Sequence, residues 1–244
     1  MISQNIISLK LPYLNMKKPE SISNVSELSP LSRYLDAEGN IDYDKLKQDE
    51  WLHNQFDRIA KANLSEIEHD DELAFWLNAY NLLTIKSVLE QLENDPNWDG
   101  NLNFWQKFKF FTWNKHEVAG KKYSLDHIEH KIIRKEFQDP RIHFAINCGA
   151  ASCPVLFDRL FKGSKIDWYL DTVTENFIND PSQVYYKEET NTLVLSKIFK
   201  WYKKDFERAV GIIPFIQQYW EGNSEKLTDA KIKYRKYDWS LNAQ

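Results

Sequence analysis

The stretch Asp71–Gln91, DELAFWLNAYNLLTIKSVLEQ, decides the fold. Leu73, Phe75, Trp76, Leu77, Leu82, Leu83, Ile85, Val88 and Leu89 recur through about five turns and cover most of a helical circumference, which predicts a helix buried on nearly every side. A membrane span needs roughly 18–20 apolar residues. The run from Leu73 to Ile85 is shorter and is broken by Asn78 and Asn81, so this helix belongs at the centre of a globular body.

Upstream, Asp44–Lys61 carries Leu46, Trp51, Leu52, Phe56, Ile59 and Ala60 close to the helical period with charges between them, the pattern of an amphipathic helix. Residues 1–44 hold Pro12, Pro19, Pro30 and a Ser/Asn-rich run from Ser21 to Ser29, and read as an irregular lead-in packed on the body. Downstream, Asn94-Asp95-Pro96-Asn97 enforces a loop, Phe104–Trp113 is dense in aromatic rings, and Ala119-Gly120-Lys121 makes a hairpin turn. Ser124 caps a helix over Leu125–Phe137, which Asp139-Pro140 stops. Arg141–Asn147 reads as a buried strand, Cys148–Pro154 as the loop after it, and a helix is predicted to begin near Cys153 with Pro154 in its first turn.

A helix over Ile166–Asn179, a second hairpin from Gln183–Tyr186 and Thr192–Ser196, and helix over Phe199–Gln218 around Gly211 and Pro214 follow. The basic run Lys226–Lys236, within a tail of residues 223–244, reads as a solvated end. The fold class is α+β: a mostly helical single domain with a small antiparallel sheet of hairpins around the buried central helix.

With 244 residues, 42% of them hydrophobic and 14% aromatic, and only seven glycines, the chain has the composition of an ordered domain able to bury a large core. Its 32 Lys+Arg against 36 Asp+Glu give −4 overall, so no global field draws it to nucleic acid. No nucleic-acid partner and no membrane span are expected. Met1–Leu11 has its first lysine at Lys10 and only scattered apolar residues, unlike a secretory leader, so the chain as numbered reads as cytoplasmic; export would require a leader removed upstream.

Five segments, in order, resemble the family catalogued as domain of unknown function 547: Leu73–Asn81, Ser124–His130, Asp139–Ala145, Cys148–Pro154 and Leu195–Tyr202. The resemblance runs from about residue 45 to about residue 222. It implies a fold and a set of marked residues but no settled activity. The marked positions with chemistry are Asn78, Asn81, Glu129, His130, Arg134, Arg141, His143, Cys148 and Cys153.

Asn78 and Asn81 fall in or beside the apolar arc of the central helix, so their amides must find partners, in loop backbone or in a ligand. Glu129 lies on the packed side of its helix, where a carboxylate needs a partner; Arg141 and Arg134 are the candidates. Strand alternation would send His143 to the face opposite Cys148. Cys153 at a helix N-terminus would have a depressed thiol pKa, making it a candidate nucleophile if an imidazole, His143 or His130, lies within reach.

On this reading Cys153 attacks an acyl carbonyl, His143 moves the proton, Glu129 or Asn81 orients the ring, and His130, Arg141 and Cys148 line the site. No cofactor is implied, and the ligand is an unidentified small molecule or peptide. The plan is similar to papain and transglutaminases in packing a buried helix against a sheet that presents a histidine, but here that helix carries asparagines where theirs starts with the cysteine. Two alternatives stand beside it: a zinc site built from Cys148, Cys153, His143 and His130, and a non-catalytic binding or scaffold domain whose cysteines form a disulfide or fill space.

Overall fold

The structure, a computed structural model, describes residues 30–101 and 103–244; of the lead-in expected over residues 1–44, residues 1–29 lie outside them, and the rest holds a short 3-10 turn over Pro30–Tyr34. The helix expected over residues 44–61 is two helices, α1 (Tyr43–Lys47) and α2 (Glu50–Ala60), because Asp42 and Asp49 each accept a backbone N–H of the following turn and start separate helices. Then comes α3 (His69–Asn94), with Asp70, Asp71 and Glu72 in its first turn, where the helix dipole favours acids. Leu77, Leu82, Leu83 and Ile85, which point to different sides of a helix with 3.6 residues per turn, are all buried, so α3 is the central helix the sequence predicts.

The aromatic stretch divides. α4 (Phe104–Phe108) runs into a wider π-type turn over Lys109–Trp113, in which Phe110 joins the core while Trp105 and Trp113 stay exposed, at 74% and 70%. The expected hairpin forms from β1 (His116–Val118) and β2 (Lys121–Tyr123), with Ala119 and Gly120 both at positive φ, the geometry of a tight two-residue hairpin turn. The Ala119 and Gly120 N–H groups donate to the carbonyls of Ile59 and Ala60, satisfying the last turn of α2.

Ser124 accepts the His127 N–H as the sequence suggests, and opens α5 (Leu125–His127), which continues as a π-helical segment over Ile128–Phe137. The buried strand expected over residues 141–147 is instead a helical turn, α6 (Ile142–Ala145). Asp139 accepts the Arg141 N–H, and the next N–H groups bond back three residues, so the chain coils straight after Pro140. No helix begins at Pro154 either; residues 154–162 are irregular, and the Pro154 carbonyl accepts from the Asn147 amide instead of opening a helix.

α7 (Ile166–Asn179) matches its predicted span. Next, β3 (Val184–Lys187) pairs antiparallel with β4 (Thr192–Leu195), and α8 (Lys197–Trp201), α9 (Lys203–Ala209) and α10 (Ile212–Tyr219) replace the interrupted helix. The basic tail is not a solvated end: β5 (Lys231–Tyr234) adds to β4 in parallel, Leu193 opposite Ile232, and residues 235–244 continue as a strap across the body. The rings of Phe144, Phe177, Phe199, Phe206 and Phe215 meet at centroid distances of 4.6–6.2 Å, tying α6, α7, α8, α9 and α10 together. Among the described residues, no helix is long and apolar enough to cross a membrane.

Candidate functional site

A hollow of about 420 Å³ lies between the π-helical segment after α5, α6 and the loop that follows it, the end of α8 and the strap. Glu129, His130, His143, Cys148 and Cys153 all line it. Strand alternation would have kept His143 and Cys148 apart. On a helical turn it does not apply, and both reach the same space.

The loop after α6 is wound tightly. Asn147 accepts the Gly149 N–H at 2.8 Å through Oδ1 and donates to the Pro154 carbonyl at 2.7 Å, and Gly149 takes φ of +81°, the left-handed region that favours glycine. This turn brings Cys148 and Cys153 together as a disulfide, with Cα atoms 6.2 Å apart. The helix dipole expected at Cys153 is absent. Two other donors replace it: the Cys148 N–H lies 3.1 Å from Cys153 Sγ, and the Tyr237 hydroxyl lies 3.1 Å from the same sulfur and 3.4 Å from Cys148 Sγ. Burial, with the Glu129 charge adding to it, pushes the Tyr237 phenol well up, so it stays protonated and donates.

His143 is 2% exposed, its ring stacked 3.8 Å from that of Tyr202. Nε2 lies 2.8 Å from Asp205 Oδ2, which also accepts from Arg134 Nε at 2.8 Å. Burial raises the Asp205 carboxyl, but the hydrogen bonds from His143 and Arg134, with the Arg134 charge, outweigh it and hold the group well below the usual carboxylate range. An ionised Asp205 can only accept, so Nε2 carries the proton. Burial holds His143 below its usual range, against the opposite pull of Asp205 and Glu129, and the ring is a neutral imidazole whose lone pair sits on Nδ1. That Nδ1 is buried and has no hydrogen-bond partner. Neither imidazole bonds a sulfur: His130 Nδ1 meets Arg134 at 3.0 Å, and its Nε2 lies 3.5 Å from Asp126.

The partners expected for Glu129 are elsewhere. Its carboxylate accepts from the hydroxyls of Tyr202 at 2.5 Å and Tyr80 at 3.2 Å, with His130 Nδ1 at 3.5 Å. Arg134 is committed to Asp205, and Arg141 is held by Asp139, Asp167 and Asp171. Burial first, and the Glu129 charge second, push the Tyr80 and Tyr202 phenols upward, so both remain donors.

Asn78, Asn81 and Arg141 lie outside the hollow. Asn78 donates to the Phe161 carbonyl and accepts the Phe161 N–H; Asn81 does the same between the Ala145 carbonyl and the Asn147 N–H. Both therefore tie α3 to loop backbone, and Asn81 in particular sets the start of the cysteine loop. Among the described residues, no three His, Cys, Asp or Glu side chains converge to hold a metal ion, so the zinc alternative finds no ligand set.

A family model described as "Protein of unknown function, DUF547" matches residues 64–178. Those residues form a DUF547 domain. No curated protein and no solved structure matches the chain. The DUF547 domain supplies Tyr80, Glu129, His130, His143, Cys148 and Cys153, while Trp201, Tyr202, Tyr237 and Trp239, and Asp205 behind His143, come from chain beyond the matched stretch. Sequence reasoning missed Asp205 and Tyr237. Asp205 had one signal, an acid next to Phe206 on an otherwise core-facing edge; Tyr237 had none, since the tail around it reads as basic and solvated.

Proposed function

We propose that this hollow performs thiol-dependent acyl hydrolysis or transfer, with Cys153 as nucleophile, His143 as base and Asp205 positioning the imidazole. The observation that carries the reading is His143 itself: an imidazole with one nitrogen held by an ionised carboxylate, the other buried without a partner, and its ring in the wall of the same hollow as a cysteine. A buried acceptor left empty costs about 1–3 kcal/mol, which a working partner would offset. Glu129, expected to orient the imidazole directly, acts one step removed by fixing Tyr202, whose ring lies against it.

The disulfide makes this a latent site. A dithiol reductant gives two electrons and two protons to Cys148–Cys153, leaving two thiols and becoming a disulfide itself. The Cys153 thiol then turns to His143 Nδ1 and loses its proton there, and the Cys148 N–H and Tyr237 hydroxyl stabilise the thiolate. Sulfur attacks the acyl carbonyl, the leaving group departs with the proton from the imidazolium, and water or an amine, deprotonated by His143, cleaves the thioester to give the acid or the new amide and regenerate the thiol.

The test uses Cys148→Ser, which frees Cys153 without reductant. Cys153 should react with a thioester-forming acyl probe, and His143→Ala should slow acylation by about 10²–10⁴. A Cys153 that reacts no faster than an ordinary exposed thiol overturns the reading. One observation favours a second reading, a non-catalytic binding domain: the neighbouring rings of Trp105 and Phe108, and separately that of Trp113, are exposed outside the hollow. A co-purifying protein together with an inert Cys153 would select it.

A further inference from the structure

We infer that the hollow takes a ligand with an organic cation, an alkylammonium or quaternary ammonium group; the inference rests on the reading of this hollow as the functional site, and names what enters it. The lining has one charge sign. Asp126 and Glu129 contribute carboxylates, and no lysine or arginine lines the space. The hydroxyls of Tyr80 and Tyr202 donate to Glu129, and no lysine or arginine among the described residues is paired with it. Arg134, which also meets His130, is paired with Asp205 behind the wall.

The rest of the wall is aromatic. Trp201, Tyr237 and Trp239 form a continuous group, with ring centroids 4.7 Å, 4.6 Å and 5.8 Å apart, and Tyr80 and Phe111 join them around the hollow. Aromatic faces attract ammonium groups through the ring quadrupole, more strongly where water is excluded. One face shows this already: the Lys107 ammonium sits 3.4 Å from the centroid of Trp239. A neutral apolar ligand would be content with the rings but would leave two carboxylates without a counter-charge; an anionic ligand would meet them head on. A cation satisfies both features, and a volume of about 420 Å³ admits a head group with a short acyl or alkyl chain attached.

The experiment compares choline with 3,3-dimethylbutan-1-ol, in which a neutral carbon replaces the charged nitrogen at the same shape. Binding to the intact, disulfide-bonded chain is followed by calorimetry and by tryptophan fluorescence. Choline should bind at least about tenfold more tightly than the alcohol, a ratio within reach of a single desolvated cation–π contact. Asp126→Asn and Trp239→Leu, both at partly exposed positions, should each reduce choline binding several-fold, and Glu129→Gln by about tenfold or more where that variant folds. Equal affinity for the two probes, or choline binding unchanged in both Asp126→Asn and Trp239→Leu, overturns the inference. The measurement needs no free thiol, so an inert Cys153 with selective choline binding would sink the acyl-transfer reading alone, and a reactive Cys153 without selectivity would sink this one alone.

Discussion

Replacing Asp205 with asparagine isolates what the carboxylate behind His143 does. Asp205 Oδ2 accepts from His143 Nε2 and from Arg134 Nε and Nη2, each at 2.8 Å. Asparagine keeps the shape but turns one of its two terminal atoms into a donor. Oδ2 alone meets both partners, so the amide oxygen in its place keeps both contacts and the NH2 group takes the Oδ1 position; what is lost is the negative charge opposite the imidazole and the guanidinium. Hydrogen bonds to charged groups contribute about 1.5–3 kcal/mol, so urea denaturation should show a stability loss of that size. The chemistry is affected as well. The imidazolium that forms when Nδ1 takes the thiol proton no longer has a carboxylate to stabilise it, so the Cys153 thiolate becomes harder to form. In the Cys148→Ser background, iodoacetamide alkylation of Cys153 should be fast and nearly flat from neutral pH upward. With Asp205→Asn added, it should rise with pH like a free thiol of pKa about 8.5. A variant that loses the expected stability but keeps the parent alkylation profile would show Asp205 to be an anchor for α9 only, and the reasoning from His143 would fail.

Further outcomes follow from the same contacts. Reducing the disulfide opens a loop of sequence separation 5, so loop-closure entropy gives a cost of about 2 kcal/mol, measurable as a lower urea midpoint in dithiothreitol. Asn81→Ala strands the Ala145 carbonyl and the Asn147 N–H, and should cost about 2–4 kcal/mol and displace the cysteine loop; an effect below about 1 kcal/mol would mean that water replaces the amide. Burial, helped by Lys86, holds His116 down at about 4, so it is neutral at pH 7. Its folded pKa lies below its unfolded one, and its contribution is complete above about pH 6.5 and falls by about 1.4 kcal/mol per pH unit as the pH drops toward 4; His116→Gln should flatten that part of the stability-versus-pH curve. Tyr237→Phe removes the hydroxyl beside both sulfurs and should raise the Cys153 thiol pKa in the Cys148→Ser background, read from the midpoint of its alkylation profile.

What was legible in the sequence had a long repeat behind it. The central helix shows itself because apolar residues appear in every direction over several turns, and α7 because its pattern is bracketed by Asn179-Asp180-Pro181. Short apolar runs do not have that redundancy. Ile142–Ile146 fits a buried strand and a buried helical turn equally well, and what decides between them is Asp139 folding back on the Arg141 N–H, a local contact that no periodicity reports. In the tail, Ile232 and Tyr234 do alternate with lysines, the pattern of an edge strand, but the basic composition hides it. The site was legible as a set of residue types and not as an arrangement. His143, Glu129 and the two cysteines share the hollow, whereas Asn78, Asn81 and Arg141 hold the elements around it, since a buried polar side chain looks the same in sequence whether it faces backbone or a ligand.

The strap has a practical side. Its backbone interlocks with the cysteine loop, the Ala151 N–H donating to the Ser240 carbonyl and the Asn242 N–H to that of Gly149, while Tyr237 and Trp239 close one flank. A recombinant fragment trimmed to residues 64–178 would keep both cysteines and both imidazoles yet be missing Tyr202, Asp205, Tyr237 and Trp239. Screening such a fragment for turnover would score a half-built cup, and an inactive result would say nothing about the whole chain.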